Sequence, residues 1–277
     1  MPGTLYVVAT PIGNLEDVTQ RALRVLGAVD LIAAEDTRHS RKLLDHFGIA
    51  TPLTSYHDHS EREKAPRLVD KLLAGSDVAL ICDAGTPGIA DPGYRLIGAA
   101  IESGVRVVPI PGASALTACL SVSGLPTDRF AFEGFVPARA AARRSFYEDL
   151  SDESRTIVCF EAGRRLGESL RDLERALGRR RVVVGREVTK MYEDFSRGRV
   201  DEVAERLAGA PVRGEVTLLI AGASGVPRAD LVEVRRRIAE LRGEGNGMKE
   251  ISRKVAAETG WNRREVYDLG IAETKNE

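Results

Sequence analysis

Val78-Ala79-Leu80-Ile81-Cys82 is apolar at every position, and Asp83-Ala84-Gly85-Thr86-Pro87-Gly88-Ile89-Ala90-Asp91-Pro92-Gly93 follows it without a break. The first run reads as a buried strand, and the second as a loop opening a helix over Gly93 to Glu102. In open α/β sheets ligands bind beyond the carboxyl ends of the strands, so this loop is where chemistry is expected. Gly85 and Gly88 let the backbone adopt positive φ and approach a ligand closely. Asp91 is placed to cap the helix, with Pro92 at its first position.

The alternation continues on both sides. Strands are expected at Leu5 to Ala9, Val29 to Ala34, Leu53 to Tyr56 and Val105 to Ile110, and helices at Val18 to Leu26 and Pro66 to Leu73. Such alternation implies βαβ units and a parallel sheet. A second pattern begins near Phe130. Strands at Thr156 to Phe160, Val182 to Arg186, Tyr192 to Ser196 and Val216 to Ala221 accompany helices at Leu166 to Leu177 and Val200 to Leu207. The Tyr192 strand follows a short turn, not a helix, so this sheet is expected to be mixed. From Pro227 the strands stop. Leu231, Val234, Ile238 and Leu241 recur at helical spacing, and helices around Ile251 to Ala257 and after an Asn262 cap complete a helix-turn-helix-like tail. An ordinary helical cap packed on the core fits the same pattern. The predicted fold class is α/β, with one domain over 1–123, a second over 124–225 hinged at Gly124-Leu125-Pro126, and a helical extension over 226–277.

Composition narrows the partners. The 277 residues are 43% hydrophobic, and 40 Lys and Arg face 41 Asp and Glu. That balance excludes a globally basic nucleic-acid binder and leaves room for local patches. Cys82, Cys119 and Cys159 each sit in an apolar run, without the spacing of a metal site or a disulfide framework. They read as buried thiols in a reducing compartment, and no metal is expected. The N-terminus enters a strand almost at once with no secretory signal. No run approaches the roughly 18 apolar residues of a membrane span, so a cytoplasmic protein without a membrane partner is expected.

Two further loops share the edge of the first sheet: Thr10-Pro11-Ile12-Gly13-Asn14 and Pro111-Gly112-Ala113-Ser114. Three Pro/Gly loops at one edge suggest a crevice for a small ligand, although three tight turns alone would look similar. The chain has no phosphate-binding G-x-x-x-x-G-K-[ST] and no G-x-G-x-x-G opening its first helix. The loops also lack clustered Lys or Arg. A ligand without a polyphosphate, such as a sulfonium nucleoside, fits that chemistry.

Ala9-Thr10-Pro11-Ile12-Gly13-Asn14-Leu15, Ala34-Glu35-Asp36-Thr37-Arg38, His57-Asp58-His59, the Asp83 to Gly93 loop, Pro111-Gly112 with Ser114, and Phe132-Glu133-Gly134-Phe135 occur in that order. Arg186-Glu187 with Thr189-Lys190, and Gly214-Glu215, follow. Together they closely resemble the tetrapyrrole methylase superfamily, and within it the branch that 2′-O-methylates a cytidine in the decoding region of 16S ribosomal RNA. The resemblance runs from about Leu5 to Gly222. Departures are Cys82 in place of Ser, Gly88 in place of a larger apolar residue, Ala113 in place of Pro, and the run Phe160 to Arg165. The resemblance implies that S-adenosylmethionine lies in a cleft between the two domains. Pro11, Asp83, Ala84, Gly85, Thr86, Ile89, Ser114 and Ala115 would border it from the first domain, and Glu161 and Glu187 from the second. It also implies a homodimer acting on 16S rRNA within the 30S subunit.

Methyl transfer to a ribose hydroxyl needs alignment and an acceptor for the proton. Asp36 is the leading candidate for the base, because it follows the second strand at the ligand edge; a helix cap or an ion pair with Arg38 is an equal reading. His57 is a second candidate, although a surface loop histidine is the commoner case. Lys190 suits an RNA phosphate or simply solvent. Arg38, Arg139, Arg143 and Arg144 are the basic residues expected to meet RNA, with Arg179 to Arg181 and Arg235 to Arg237 as further clusters. Two rival functions remain: C-methylation of a tetrapyrrole precursor, and a non-catalytic S-adenosylmethionine-binding module in ribosome assembly.

Overall fold

The computed structural model describes all residues except 59, 209–213, 224–228, 262 and 275–277. His59 and the Asn262 cap expected above lie outside the described residues. Strands β1 (Thr4–Val8), β2 (Leu31–Ala34), β3 (Leu53–Ser55), β4 (Val78–Ile81) and β5 (Arg106–Ile110) form one all-parallel sheet in the order β3-β2-β4-β1-β5. Side chains alternate between its faces. Leu5, Ala33 and Leu80 pack on one side against α3 (Glu61–Leu73) and α4 (Tyr94–Glu102). Val8, Ile32, Ala34, Ala79 and Ile81 pack on the other against α1 (Gln20–Ala28) and α2 (Thr37–His46). Burial on both faces explains why β4 is apolar throughout.

This arrangement creates a crevice. β1 and β4 are neighbours, yet the helix after β1 covers one face and the helix after β4 covers the other. Their outgoing loops therefore part at the carboxyl edge, where doubly wound sheets bind ligands. Helix α2 has no counterpart in the expected element list. Only Ser40 and Leu44 of its ten residues are buried, so the apolar periodicity is too sparse to read.

The second sheet joins β6 (Phe130–Phe135), β7 (Thr156–Ala162), β8 (Arg181–Arg186), β9 (Asp194–Arg199) and β10 (Glu215–Ile220) in the order β6-β7-β10-β8-β9. β6 and β7 are parallel and the other pairs antiparallel, so the sheet is mixed. The strand expected at Tyr192 to Ser196 is β9, displaced toward the C-terminus. One face is covered by α6 (Ala140–Asp149), α7 (Leu166–Leu177) and α8 (Val200–Leu207). The other receives α5 (Ala115–Ser121), whose Leu116, Cys119 and Leu120 meet Val158, Val183 and Leu219. Helix α5 precedes the Gly124-Leu125-Pro126 segment in sequence but belongs to the packing of the second sheet. Helices α9 (Leu231–Gly243), α10 (Met248–Thr259) and α11 (Arg263–Thr274) bury Val234, Ile238, Leu241, Ile251, Val255 and Val266 among themselves. Among the described residues, no helix is long and apolar enough to cross a membrane.

One expected RNA contact is corrected here. Arg143 is 2% exposed, between α6 and α7, with Nε 2.8 Å from Asp172 Oδ2 and Nη2 3.2 Å from Glu168 Oε2. It occupies the inward stripe of α6 beside buried Tyr147, whose hydroxyl lies 2.6 Å from Ser169 Oγ. Arg139 and Arg144 are exposed. Removing one partner of a buried ion pair leaves the other charge desolvated, which costs about 3–5 kcal/mol. Arg143→Ala should therefore lose stability of that order in denaturant unfolding, while Arg144→Ala should stay within about 0.5 kcal/mol of the parent.

Candidate active site

Two backbone hydrogen bonds assemble the crevice. Thr10 N–H donates to Gly85 O at 2.8 Å and Gly85 N–H returns to Thr10 O at 3.1 Å, joining the loops after β1 and β4. Thr10 Oγ1 adds a bond to Cys82 O at 3.0 Å. Gly85 and Gly88 have φ of +84° and +81°, the left-handed geometry expected of them. The far end of the loop is held differently from expectation. Helix α4 starts at Tyr94, with Gly93 at its N-cap, so Asp91 stands too early to cap it. The buried Glu61 of α3 serves instead, accepting Gly93 N–H on Oε1 at 2.8 Å while Arg95 Nε lies 3.5 Å from Oε2.

The second domain closes the other side. Phe135, Phe160, Gly185, Glu187, Val188, Lys190, Glu215, Val216 and Thr217 face Ile12, Glu35, Asp83 to Thr86, Ile89 to Asp91, Ser114 and Ala115 across a cleft of about 1060 Å³, part of it open to solvent. The Phe135 and Phe160 rings lie 5.3 Å apart. Lys190 Nζ is 3.1 Å from Glu187 Oε1, and its stem crosses to the first domain over Gly13, where a Cβ would fall 2.4 Å from Lys190 Cε. The Thr189 hydroxyl donates to the Asp17 carboxylate in the same crossing.

Of the residues expected from sequence, Asp83, Ala84, Gly85, Thr86, Ile89, Ser114, Ala115, Glu187 and Lys190 converge on the cleft. Pro11 does not line it; its neighbour Ile12 does. Glu161 lies on the wrong face of β7. Phe160 looks into the cleft, so its neighbour Glu161 points to the opposite, helix-covered side. There it is fully buried, and Oε1 accepts Ala162 N–H and both Nε and Nη2 of Arg165. Asp36 is exposed and caps α2, accepting Arg38 N–H at 2.8 Å, a bond that holds its carboxyl below the usual range. His57 also stays outside the lining; its backbone N–H donates to Ser60 Oγ and its carbonyl accepts Glu61 N–H in the turn that starts α3. Arg38, Arg139 and Arg144 are exposed outside the lining. The other two Arg clusters are largely committed: Arg179 pairs with Asp201, Arg236 with Glu233 and Glu240, and Arg237 with Glu258.

Glu35, Asp91 and Glu215 are cleft residues that the sequence reading left without a role there. The available signal for Glu35 was its position directly after β2, at the ligand edge. The chamber thus carries five carboxyls, Glu35, Asp83, Asp91, Glu187 and Glu215, against the one ammonium of Lys190. Partial burial pushes the Glu35 carboxyl up, aided by the charges of Asp91, Asp83 and Asp58 and opposed by the Asp83 N–H. Burial also raises Asp91, reinforced by Glu215 and Asp83 and opposed by a hydrogen bond with the Cys82 thiol. An acidic chamber lined with backbone and aromatic surface favours a cation and repels phosphate. A sulfonium nucleoside meets those terms.

The family described as Tetrapyrrole (Corrin/Porphyrin) Methylases matches residues 4–204. The chain is 47% identical over 272 residues to a Synechocystis protein named Ribosomal RNA small subunit methyltransferase I, covering 97% of this chain and 98% of that one. It is 44% identical over 276 residues to a Haemophilus influenzae protein of the same name, covering 98% of each. Among solved structures, uroporphyrin-III-C-methyltransferase from Thermus thermophilus superposes with a TM-score of 0.57 at 20% identity, covering 80% of this chain and 95% of that one. A conserved hypothetical protein from Aeropyrum pernix K1 gives 0.59 at 20% identity, covering 100% and 98%.

Glu61 offers a direct test of how the loop is held. A buried hydrogen bond to a charged acceptor contributes about 1.5–3 kcal/mol. Glu61→Ala should lose stability in that range in urea unfolding, and Glu61→Gln, which keeps an oxygen for Gly93 N–H, should recover part of it.

Proposed function

The chain belongs to the tetrapyrrole methylase family, and on that premise we propose that it methylates the ribose 2′-hydroxyl of a cytidine in the decoding region of 16S ribosomal RNA, using S-adenosylmethionine. The observation that carries this reading is the extent of the match. The Synechocystis and Haemophilus influenzae proteins named for ribosomal RNA align along 97–98% of the chain at 44–47% identity, whereas uroporphyrin-III-C-methyltransferase is 20% identical over 80% of it. The substrate is proposed to be rRNA within the 30S subunit, and the enzyme a cytoplasmic homodimer.

The residues present suit the cofactor. Backbone groups of Ala84, Gly85 and Thr86, with Ile89, Ser114 and Ala115, would hold it, and the surrounding carboxylates would balance its positive charge. S-adenosylmethionine supplies a methyl carbon already activated by the sulfonium, so alignment of the incoming oxygen is the main task of the protein. The acidic chamber admits the ribose and keeps phosphates outside. Arg38, Arg139 and Arg144, exposed outside the lining, and Lys190 within it would receive them.

Three measurements test this. Transfer of radiolabelled methyl to 30S subunits lacking the modification should place label in 2′-O-methylcytidine. Cofactor binding without label in RNA would overturn the reading and make a porphyrinogen the next substrate. The double substitution Arg139→Ala with Arg144→Ala should weaken 30S binding about tenfold at moderate salt and flatten its salt dependence. The pH dependence is specific too. Glu35 and Asp91 are both raised, so they take up protons above the ordinary carboxylate range as pH falls. Calorimetric affinity for S-adenosylmethionine should fall through that window, and more steeply than affinity for S-adenosylhomocysteine, which lacks the sulfonium charge.

A further inference from the structure

We propose that Glu35, and not Asp36, accepts the proton of the acceptor hydroxyl; the inference rests on the reading of the cleft as a ribose methyltransferase site. A general base must reach the reacting oxygen and have a lone pair to offer. Asp36 fails the first condition, since it caps α2 from outside the cleft. Glu35 meets both. It stands at the carboxyl end of β2 beside β4, and its side chain lines the cleft. Oε2 is anchored by Asp83 N–H at 3.3 Å, which leaves Oε1 without a hydrogen-bond partner among the described residues.

The other carboxyls of the chamber differ in pairing or in place. Asp83 Oδ1 accepts Asp36 N–H at 3.1 Å, the Cys82 thiol donates to Ala84 O at 3.4 Å, and Asp91 lies at the far end of the β4 loop, just before the N-cap of α4. Glu187 is paired with Lys190. Glu215 opens β10 on the far wall, in the second domain. The groups acting on Glu35 are Asp83 and Asp91 from the β4 loop and Asp58 from the segment before α3, all carboxyls. Partial burial, helped by their repulsion, makes protonation of Glu35 easier than that of an exposed glutamate.

The step balances. The hydroxyl oxygen forms its bond to the methyl carbon as the carbon–sulfur bond breaks, and that electron pair stays on sulfur. The O–H proton passes to Glu35 Oε1, so a sulfonium, a carboxylate and a hydroxyl become a thioether, a carboxylic acid and an ether. Proton uptake also relieves the crowding of negative charge around Asp83 and Asp91.

Glu35→Gln keeps the shape and removes the base. It should retain calorimetric affinity for S-adenosylhomocysteine and for 30S subunits within about threefold. The single-turnover rate should drop by about 10²–10⁴ and the acid limb of its pH profile should vanish. Glu35→Asp should restore part of the rate with the limb. Difference infrared spectra of the wild-type protein should contain a carboxyl that titrates above 4.5 and is missing from Glu35→Gln. A Glu35→Gln rate within threefold of wild type, or an acid limb lost in Asp36→Asn and kept in Glu35→Gln, would overturn the assignment. If the wild type transfers no methyl to RNA, the functional reading fails and this role fails with it; a slow Glu35→Gln beside an active wild type separates the two.

Discussion

The paired hydrogen bonds between Thr10 and Gly85 are the constraint on which the site depends. They join two loops that leave β1 and β4 toward helices on opposite faces of the sheet. Without them the switch point would be an open groove, because nothing in parallel strand pairing holds the outgoing turns together. With them, Gly85 can adopt its positive φ and present backbone to the cleft. Glu61 then fixes the other end of the same loop at Gly93. The stretch from Gly85 to Gly93 is thereby anchored at both ends by groups remote in sequence.

Charge is sorted by depth. The whole chain is almost neutral, with a formal charge of −1, yet the cleft gathers five carboxyls against one Lys. Exposed Arg38, Arg139 and Arg144 lie outside its lining. A cation and a polyanion can therefore be received by different parts of the surface without competing. Burial raises Glu35 and Asp91, and repulsion among the chamber's carboxyls adds to it. The field that would hold a positive ligand thus also helps to make these carboxyls better proton acceptors.

The sheets and ligand loops were readable because their signals are local. An unbroken apolar run followed by a Gly/Pro loop marks β4, and the short turn before β9 marks a mixed sheet. Among the elements that escaped, α2 and α6 bury only two residues each, so their periodicity is faint. Side-chain roles were harder. Arg143 and Arg144 look alike in sequence, and only the packing of α6 on α7 sends one inward to Asp172. Glu161 missed the cleft by the parity of a strand. Asp91 is a plausible cap by spacing, but the helix begins later and the cap arrives from Glu61, thirty-two residues away. Pairings across that distance leave no trace in local pattern.

The parallel sheet, its switch point and the bridged loops are features that a fold shared with tetrapyrrole C-methyltransferases can supply to many acceptors. They bind and aim a methyl donor, and they do not choose what receives the methyl. Selectivity must then come from what else lies in and around the chamber. Here that is a carboxylate with a free oxygen at the end of β2, exposed arginines outside the chamber, and a tail with its own hydrophobic core. A ribose hydroxyl is a weak nucleophile attached to a highly charged polymer, so it calls for a proton acceptor inside the chamber and cations outside it. On the proposed reading, the position of Glu35 and the exposure of Arg139 and Arg144 would answer those two demands separately.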